Sequence, residues 1–264
     1  RALRRCLAAG VPVVLATGKA RGPWVGALLD EVADAELPAS SAWTLNAPGV
    51  FVQGMLVCDS TGAVVSRQLV PPRIVQLCRE VAERLNWTVL AYTGDDRILS
   101  NRPDPQTSRL EQLREPAVEV GPVDGVPTCK LLFLGAPADE DAIRKEVSDI
   151  IGDSASMTVA IPGMVEVLPR GASKADGARR ALELLGLSPA DALALGDGEN
   201  DVELLQLVGG AGGVAAAVAN ARPALKEVAQ AVVASCDEGG WADAVERWVL
   251  GGEPPGRRAG PPPG

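Results

Sequence analysis

Histidine is missing from this sequence altogether, and aromatic residues make up only 3% of its 264 residues. Because it lacks histidine, the chain cannot by itself form a Ser-His or Cys-His catalytic pair or a metal site with imidazole ligands. Basic residues are also in the minority, 25 against 34 acidic ones, which gives a net charge of −9. That charge argues against a general nucleic-acid surface and against binding to anionic membranes, because both require basic patches.

Cysteine and long apolar stretches are scarce as well. The five cysteines are scattered, odd in number and never spaced as C-x-x-C. This usage predicts buried free thiols in a reducing compartment, either the cytoplasm or the plastid stroma. No apolar run approaches the roughly 18 residues of a membrane-spanning helix, so the sequence predicts a soluble protein. With 47% hydrophobic residues, the chain can bury a core as one large domain or two modest ones.

Strand and helix patterns alternate along most of the sequence. Apolar runs at 11–18 and 192–196 each end at a glycine and precede a helical pattern, which is typical of the units of a parallel sheet. Between them lie strands, helices and a loop-rich stretch from Asp95 to Pro127, which together predict an inserted α+β domain. We therefore predict an α/β fold with a doubly wound parallel sheet. The predicted division is a core at 1–67 and 169–250, an inserted domain at 68–168 and a disordered Pro/Gly-rich tail at 251–264.

Acidic residues are concentrated directly after the apolar run that ends at Leu195. They are Asp197, Glu199, Asp201 and Glu203, with Asn200 among them. Helix capping, at about 0.3–1 kcal/mol for each acid, accounts for one or two of them and remains an alternative. A hard cation such as Mg²⁺ takes one or two carboxylates together with waters and substrate phosphate. Because ligands of open α/β sheets bind at the carboxyl ends of strands, the turn predicts a metal or phosphate site.

Two other segments carry groups suited to a phosphate. Thr17 and Gly18 follow a predicted strand and offer a hydroxyl and backbone N–H groups; the alternative is an ordinary strand-to-helix turn. Lys174 lies in the first turn of a helix that Ser173 would cap, where a cation opposes the helix dipole. The alternative there is an exposed surface lysine. The order of the three segments, with the acidic turn 23 residues after Lys174, favours a shared phosphate site.

The same segments resemble a known family. "VVLATGKAR", "EVLPRGASKADGARRALELLGL" and "ALALGDGENDVELLQLVGGAGGVAAAVANA" closely resemble the haloacid dehalogenase (HAD) superfamily, and most of all its Cof-type branch with a type IIB cap. The ending "VVASCDEGGWADAVERW" resembles that branch too. The resemblance implies a Rossmann-like core under an inserted cap domain. It also implies Mg²⁺-dependent hydrolysis of a small phosphorylated metabolite, a sugar phosphate or similar, through an aspartyl-phosphate.

The resemblance also implies a role for each site residue. Thr17 and Gly18 would hold the transferring phosphoryl group, and Lys174 would neutralise its charge. Asp197 would be a ligand of Mg²⁺. Asn200 would contact the phosphate, and Asp201 would orient Lys174. The cap would select the substrate, and its candidate contacts are Asp95, Asp96, Arg97, Arg102 and Lys130.

One expected part of the site is missing. The family's nucleophile is the first Asp of a D-x-D-G-T motif ahead of the Thr segment, whereas here only sixteen residues precede Thr17 and none is acidic. The sole D-x-D, at 139–141, is typical of helix N-terminal charge, and "VCDSTG" at 57–62 comes too late in the sheet order. The sequence therefore predicts an N-terminally truncated and inactive phosphatase chain. The alternatives are an inactive phosphometabolite-binding relative and a phosphomutase on the same scaffold.

Overall fold

The structure is a computed structural model that describes residues 1–32, 45, 47–94 and 96–251. Its helices are α1 (Ala2–Ala8), α2 (Pro23–Val32), α3 (Pro72–Arg84), α4 (Ser108–Gln112), α5 (Glu140–Ile151), α6 (Lys174–Leu185), α7 (Val202–Ala211), α8 (Pro223–Val228) and α9 (Gly240–Trp248). Its strands are β1 (Gly49–Phe51), β2 (Leu56–Cys58), β3 (Val64–Arg67), β4 (Thr88–Thr93), β5 (Ile98–Ser100), β6 (Val118–Val120), β7 (Thr128–Leu134), β8 (Ala155–Ile161), β9 (Met164–Pro169), β10 (Leu193–Gly196), β11 (Val214–Val218) and β12 (Ala231–Val233).

A three-stranded parallel sheet, in the order β10-β11-β12, forms the centre of the core. Leu205 and Val208 of α7 are buried against Ala215 and Ala217 of β11, in a cluster that also contains Leu225 of α8. The small alanine side chains of β11 allow the helices to approach the sheet closely. The predicted α/β class is confirmed by this parallel sheet and its packed helices.

The strand predicted at 11–18 does not form as a regular strand. Only Ala16 makes a bridge, parallel to Val50 of β1, and most of the segment is half-buried rather than buried. Val11 packs beside Leu193, but β10 remains an edge strand of its own sheet. A central strand of a parallel sheet requires hydrogen-bonded neighbours on both sides. Among the described residues this segment has β1 on one side, which explains why the predicted strand is incomplete.

A mixed six-stranded sheet is inserted between the two parts of the core. Its order is β6-β5-β4-β7-β9-β8, and its pairs are antiparallel except β5 with β6. Because side chains alternate along a strand, Ala91 and Phe133 pack against α3 and α5 on one face. Leu90 and Leu132 face the other way and pack with Phe51 of the core. This second face therefore lies over the turn that follows β1.

The stretch predicted to be loop-rich, 95–127, contains β5, α4 and β6. These elements are only three to five residues long, too short to show a clear period in the sequence. They form because β5 pairs with β4 and β6 with β5. Asp95 and residues 252–264 of the predicted tail lie outside the described residues. The domain boundaries at 68–168 remain a prediction.

Four of the five cysteines are buried free thiols, as predicted, but Cys236 is exposed because it lies in the turn before α9. Burial raises the pKa of the Cys58 thiol to about 11 and that of the Cys78 thiol to about 12. Within the described ranges, no helix combines the length and the apolar character needed to cross a membrane.

Candidate active site

A cavity of about 220 Å³ lies where the inserted sheet faces the core. Five of the six predicted site residues line it, and they come from three separate segments of the chain. These residues are Thr17, Gly18, Lys174, Asp197 and Asn200. A wider hollow beside α1 and α2 contains none of them. The predicted convergence of the three segments is therefore present in the fold.

The position of Lys174 follows from how α6 begins. Ser173 caps the helix, and its Oγ accepts a hydrogen bond from the backbone N–H of Asp176 (3.4 Å). The turn between β1 and β2 packs directly against the start of this helix. A Cβ on Gly54 would lie 2.1 Å from the Ser173 carbonyl oxygen, and Gly54 has a φ of +94°. Only glycine combines that backbone conformation with so close an approach. The turn thereby fixes the first residue of α6, Lys174, at the cavity.

Asp201 organises the acidic turn through both carboxylate oxygens. Its Oδ1 accepts from Lys174 Nζ at 2.7 Å, and both side chains are buried. Its Oδ2 accepts from the backbone N–H groups of Asp197 and Gly198, each at 3.1 Å. Charge-assisted bonds of this kind are stronger than neutral ones. One buried carboxylate thus sets the shape of the turn and the position of the lysine.

The other three acidic side chains of the turn differ in whether they reach the cavity. Glu199 and Glu203 are exposed, as expected for residues near the positive end of α7. Asp197 is exposed as well, but it alone among these three lines the cavity. Among the described residues, no three His, Cys, Asp or Glu side chains cluster around a common point. Asp197 therefore fits a Mg²⁺ site as one carboxylate ligand, with water and phosphate oxygens supplying the others.

Gln53 is a site residue that the sequence reasoning missed. Its side chain is almost fully buried; its Oε1 accepts from Asn200 Nδ2 (2.9 Å), and its Nε2 donates to Glu166 Oε2 (2.8 Å). Its φ of 60° is uncommon for a residue other than glycine and is found disproportionately at functional sites. The available signal was a lone amide before Gly54 in an otherwise apolar stretch. Gln53 links the predicted phosphate contact Asn200 to the inserted sheet.

A buried ion pair on the inserted sheet also lines the cavity. Lys130 Nζ lies 2.9 Å from Glu166 Oε1, donates to the Gly18 carbonyl (3.0 Å) and lies 4.0 Å from the centre of the Tyr92 ring. Of the predicted cap contacts that fall within the described ranges, Lys130 alone lines the cavity. Each charge interrupts an apolar strand, and a buried charge requires a partner. That pattern was the signal by which Glu166 could have been found.

Three other predicted cap contacts lie elsewhere in the fold. Asp96 accepts from Arg21 Nε (2.9 Å), Arg97 donates to Glu119 (2.8 Å) and Arg102 donates to the Asn86 carbonyl (3.0 Å). None of the three lines the cavity. Polar residues of a loop-rich stretch give no local sign of which ones face a site, and here the three residues form ion pairs and hydrogen bonds away from the cavity.

The inserted segment 113–116 holds the loop that follows Thr17. Lys19 Nζ donates to the Leu113 carbonyl (2.9 Å), and Glu115 Oε2 accepts from the backbone N–H of Ala20 (2.9 Å). Burial raises the pKa of Glu115 above its ordinary value, although the nearby Lys130 ammonium opposes this shift. The conformation of the loop after Thr17 is therefore coupled to the placement of the inserted domain.

The chain matches a known family over most of its length. A family model for haloacid dehalogenase-like hydrolases matches residues 1–245, and the chain belongs to this family. A solved HAD subclass IIB sugar phosphatase superimposes with a TM-score of 0.75 at 16% identity, covering 93% of this chain and 88% of that one. That likeness confirms the predicted fold of an α/β core with an inserted cap.

Curated relatives come from plants and bacteria. Endoribonuclease YBEY, chloroplastic, of Arabidopsis thaliana is 33% identical over 260 residues, which are 95% of this chain and 43% of that protein. This chain thus spans less than half the length of that relative. The HMP-PP phosphatase of Yersinia enterocolitica is 26% identical over 201 residues, 74% of this chain and 72% of that protein.

Proposed function

We propose that this chain is the phosphate-binding part of a Mg²⁺-dependent phosphatase that hydrolyses a small phosphorylated metabolite. The observation that carries the proposal is the meeting of Thr17, Lys174, Asp197 and Asn200 around one cavity. A hydroxyl, an ammonium group, a carboxylate and an amide in one place suit a phosphate dianion with its metal. The phosphatase names of bacterial relatives agree with this assignment.

Each residue has a distinct part in holding the phosphoryl group. Thr17 and the backbone of Gly18 bind its oxygens, and Asn200, oriented by Gln53, donates a further hydrogen bond. Lys174, held by Asp201, offsets the negative charge on the equatorial oxygens. In a site shielded from water such preorganised charges contribute several kcal/mol to catalysis. Asp197 would hold Mg²⁺, which when bound supplies positive charge to the phosphate oxygens.

The nucleophile is proposed to be an Asp carboxylate outside residues 1–264. Its oxygen attacks phosphorus in line, the P–O bond to the alcohol breaks, and the alcohol oxygen takes a proton from an acid beside the nucleophile. Water then attacks the aspartyl-phosphate and releases phosphate and the free carboxylate. Two observations support this: the sequence contains no D-x-D-G-T, and β10 has an unpaired strand edge among the described residues.

The test compares residues 1–264 with a longer chain. The coding sequence upstream of Arg1 is read for an in-frame D-x-D-G-T, and both proteins are assayed with p-nitrophenyl phosphate and Mg²⁺. We expect background rates from residues 1–264 and EDTA-sensitive turnover from the longer chain. Turnover by residues 1–264 themselves would refute the proposed external nucleophile.

Other outcomes correspond to the alternative functions. An upstream sequence without the motif, together with phosphate binding but no turnover, would favour an inactive phosphometabolite-binding protein. Transfer of the phosphoryl group back to the substrate's alcohol rather than to water would favour a phosphomutase. The endoribonuclease name belongs to the Arabidopsis relative, and more than half of that protein lies outside the match.

A further inference from the structure

The cavity has two chemically different ends. Its core end carries the groups assigned above to the phosphate, whereas side chains of the inserted domain form an apolar wall opposite them. The wall consists of Leu110, Leu113, Leu132, Ile161 and Met164. Ile161 is 36% exposed at the edge of the sheet, although it is a large apolar side chain. A substrate bound through its phosphate would place its carbon skeleton against this wall.

The polar side chains of the inserted domain that line the cavity already make hydrogen bonds, and among them Tyr92 Oη donates to Glu115 Oε1 at 3.4 Å. Lys130 pairs with Glu166, whose second carboxylate oxygen accepts from Gln53. Glu115 accepts from the backbone of Ala20. A sugar presents hydroxyl groups on most carbons, and each buried hydroxyl requires a hydrogen-bond partner. A sugar hydroxyl would have to compete with these buried bonds for the same donors and acceptors.

The size of the cavity limits the substrate further. Its volume of about 220 Å³ is below the roughly 300–1,000 Å³ that is typical of sites for drug-sized ligands. A protein cavity of about 150 Å³ holds a benzene molecule. Within the described residues the space suits a phosphoryl group and a skeleton of about one six-membered ring, which favours a small phosphate ester over a nucleotide-sized one.

We infer that the substrate is the phosphate monoester of a small alcohol with an apolar skeleton, no larger than one ring, rather than a sugar phosphate. This inference rests on the proposed function, since it takes the core end of the cavity to hold the phosphate. The apolar wall selects the alcohol by excluding water from a hydrocarbon or aromatic surface. Hydroxylated skeletons are rejected because their polar groups lose hydrogen bonds to water without replacement.

Binding measurements on residues 1–264 test the inference without requiring turnover. Isothermal titration compares methyl phosphate, phenyl phosphate and glucose 6-phosphate, which carry the same phosphate group on different skeletons. We expect phenyl phosphate to bind about tenfold or more tightly than methyl phosphate, because the ring buries apolar surface. Glucose 6-phosphate should bind no more tightly than methyl phosphate.

A pair of variants locates the effect in the wall. Ile161→Asn should reduce the affinity for phenyl phosphate by about fivefold or more and leave that for methyl phosphate unchanged. Val120→Asn is the matched control, because Val120 is an exposed strand residue of the same sheet that does not line the cavity. It should change neither affinity. Both positions are exposed, so neither change disturbs the core.

The results distinguish an error in the proposed alcohol from an error in the proposed phosphate site. Glucose 6-phosphate binding more tightly than phenyl phosphate, while Lys174→Met weakens all three esters, would overturn the apolar-substrate inference and leave the phosphate site standing. An equal effect of Ile161→Asn and Val120→Asn on phenyl phosphate would overturn it as well. Failure of Lys174→Met to weaken any ester would overturn the phosphate site and, with it, the proposed function.

Discussion

At the scale of single residues, the candidate site depends on a few close contacts rather than on many weak ones. Asp201 satisfies three donors with one carboxylate, and Gln53 bridges the core and the inserted sheet with one amide. Gly54 permits the close approach that places Lys174. Substitutions at these positions should therefore lower stability or activity by more than the number of atoms changed would suggest.

Gly54→Ala tests the close approach at the start of α6. The added methyl group would meet the Ser173 carbonyl at 2.1 Å from a backbone with positive φ, so the turn or the helix start must move. We expect a loss of about 2 kcal/mol or more in the free energy of unfolding, measured by urea denaturation. Gly210→Ala is the control: nothing lies within 4 Å of the position that its added methyl group would take inside α7, and it should stabilise by about 0.5–1 kcal/mol. Similar effects at both positions would contradict the close-packing explanation.

Lys174 and Asp201 should be energetically coupled. Lys174→Met leaves a buried carboxylate with only its two backbone donors, and we expect it to destabilise the protein by about 3 kcal/mol. Adding Asp201→Asn should recover part of that loss, giving a coupling energy of about 1 kcal/mol or more in a double-mutant cycle. The exposed pair Arg180 and Glu183 is the control and should show about 0.5 kcal/mol or less. Additivity at Lys174 and Asp201 would mean that the buried pair does not organise the turn.

At the scale of elements, the segment 113–116 is the clearest case of a conformation that is held by tertiary contacts and not by a local sequence pattern. It follows the five-residue helix α4, and its backbone and side chains contact Lys19 and Ala20 of the loop after Thr17 and Trp24 at the start of α2. This contact places Glu115 in a buried position where its ionised form is disfavoured. Its titration should therefore be visible in the stability of the fold.

Glu115→Gln should flatten the dependence of stability on pH. Because burial raises the pKa of Glu115 in the folded state, the folded protein holds this proton more firmly than the unfolded chain does. The resulting stabilisation is fully present below the ordinary value of 4.5 and is lost as the pH rises through the raised pKa. Urea unfolding of the wild type should show this decline, and Glu115→Gln should lack it. The exposed neighbour Glu111, changed to Gln, should keep the decline; an unchanged profile in Glu115→Gln would contradict the assignment.

At the scale of the whole molecule, the sequence predicted the parts of the site that belong to local motifs. Lys174 begins α6, and Asn200 and Asp201 follow the end of β10, so those local structures determine where the three side chains lie. Thr17 is placed instead by its backbone N–H, which donates to the Val50 carbonyl of β1 (2.9 Å). Lys130 was predicted only as one of several polar candidates, although its position within an apolar strand distinguished it from Asp96, Arg97 and Arg102.

Other parts could not be predicted because they depend on partners distant in the chain. Glu166 and Gln53 are 113 residues apart, and Glu115 bonds to a backbone group 95 residues away. The strand at 11–18 was predicted from its apolar composition, but a strand also requires neighbours, and β1 is the neighbour that the described fold provides. Composition determines which segments can be buried, and pairing decides which of them become strands.

The most direct test of the site replaces two carboxylates of the same turn, one at a time, by the corresponding amides. Asp197 and Glu199 are both exposed and two residues apart, but only Asp197 lines the cavity. In a longer chain that carries the proposed Asp nucleophile, turnover of p-nitrophenyl phosphate is measured across a range of Mg²⁺ concentrations for Asp197→Asn and Glu199→Gln. The proposed site predicts a loss of about 100-fold or more with weakened Mg²⁺ dependence for Asp197→Asn, and a change within about twofold for Glu199→Gln. Equal losses, or a larger loss at Glu199, would contradict it.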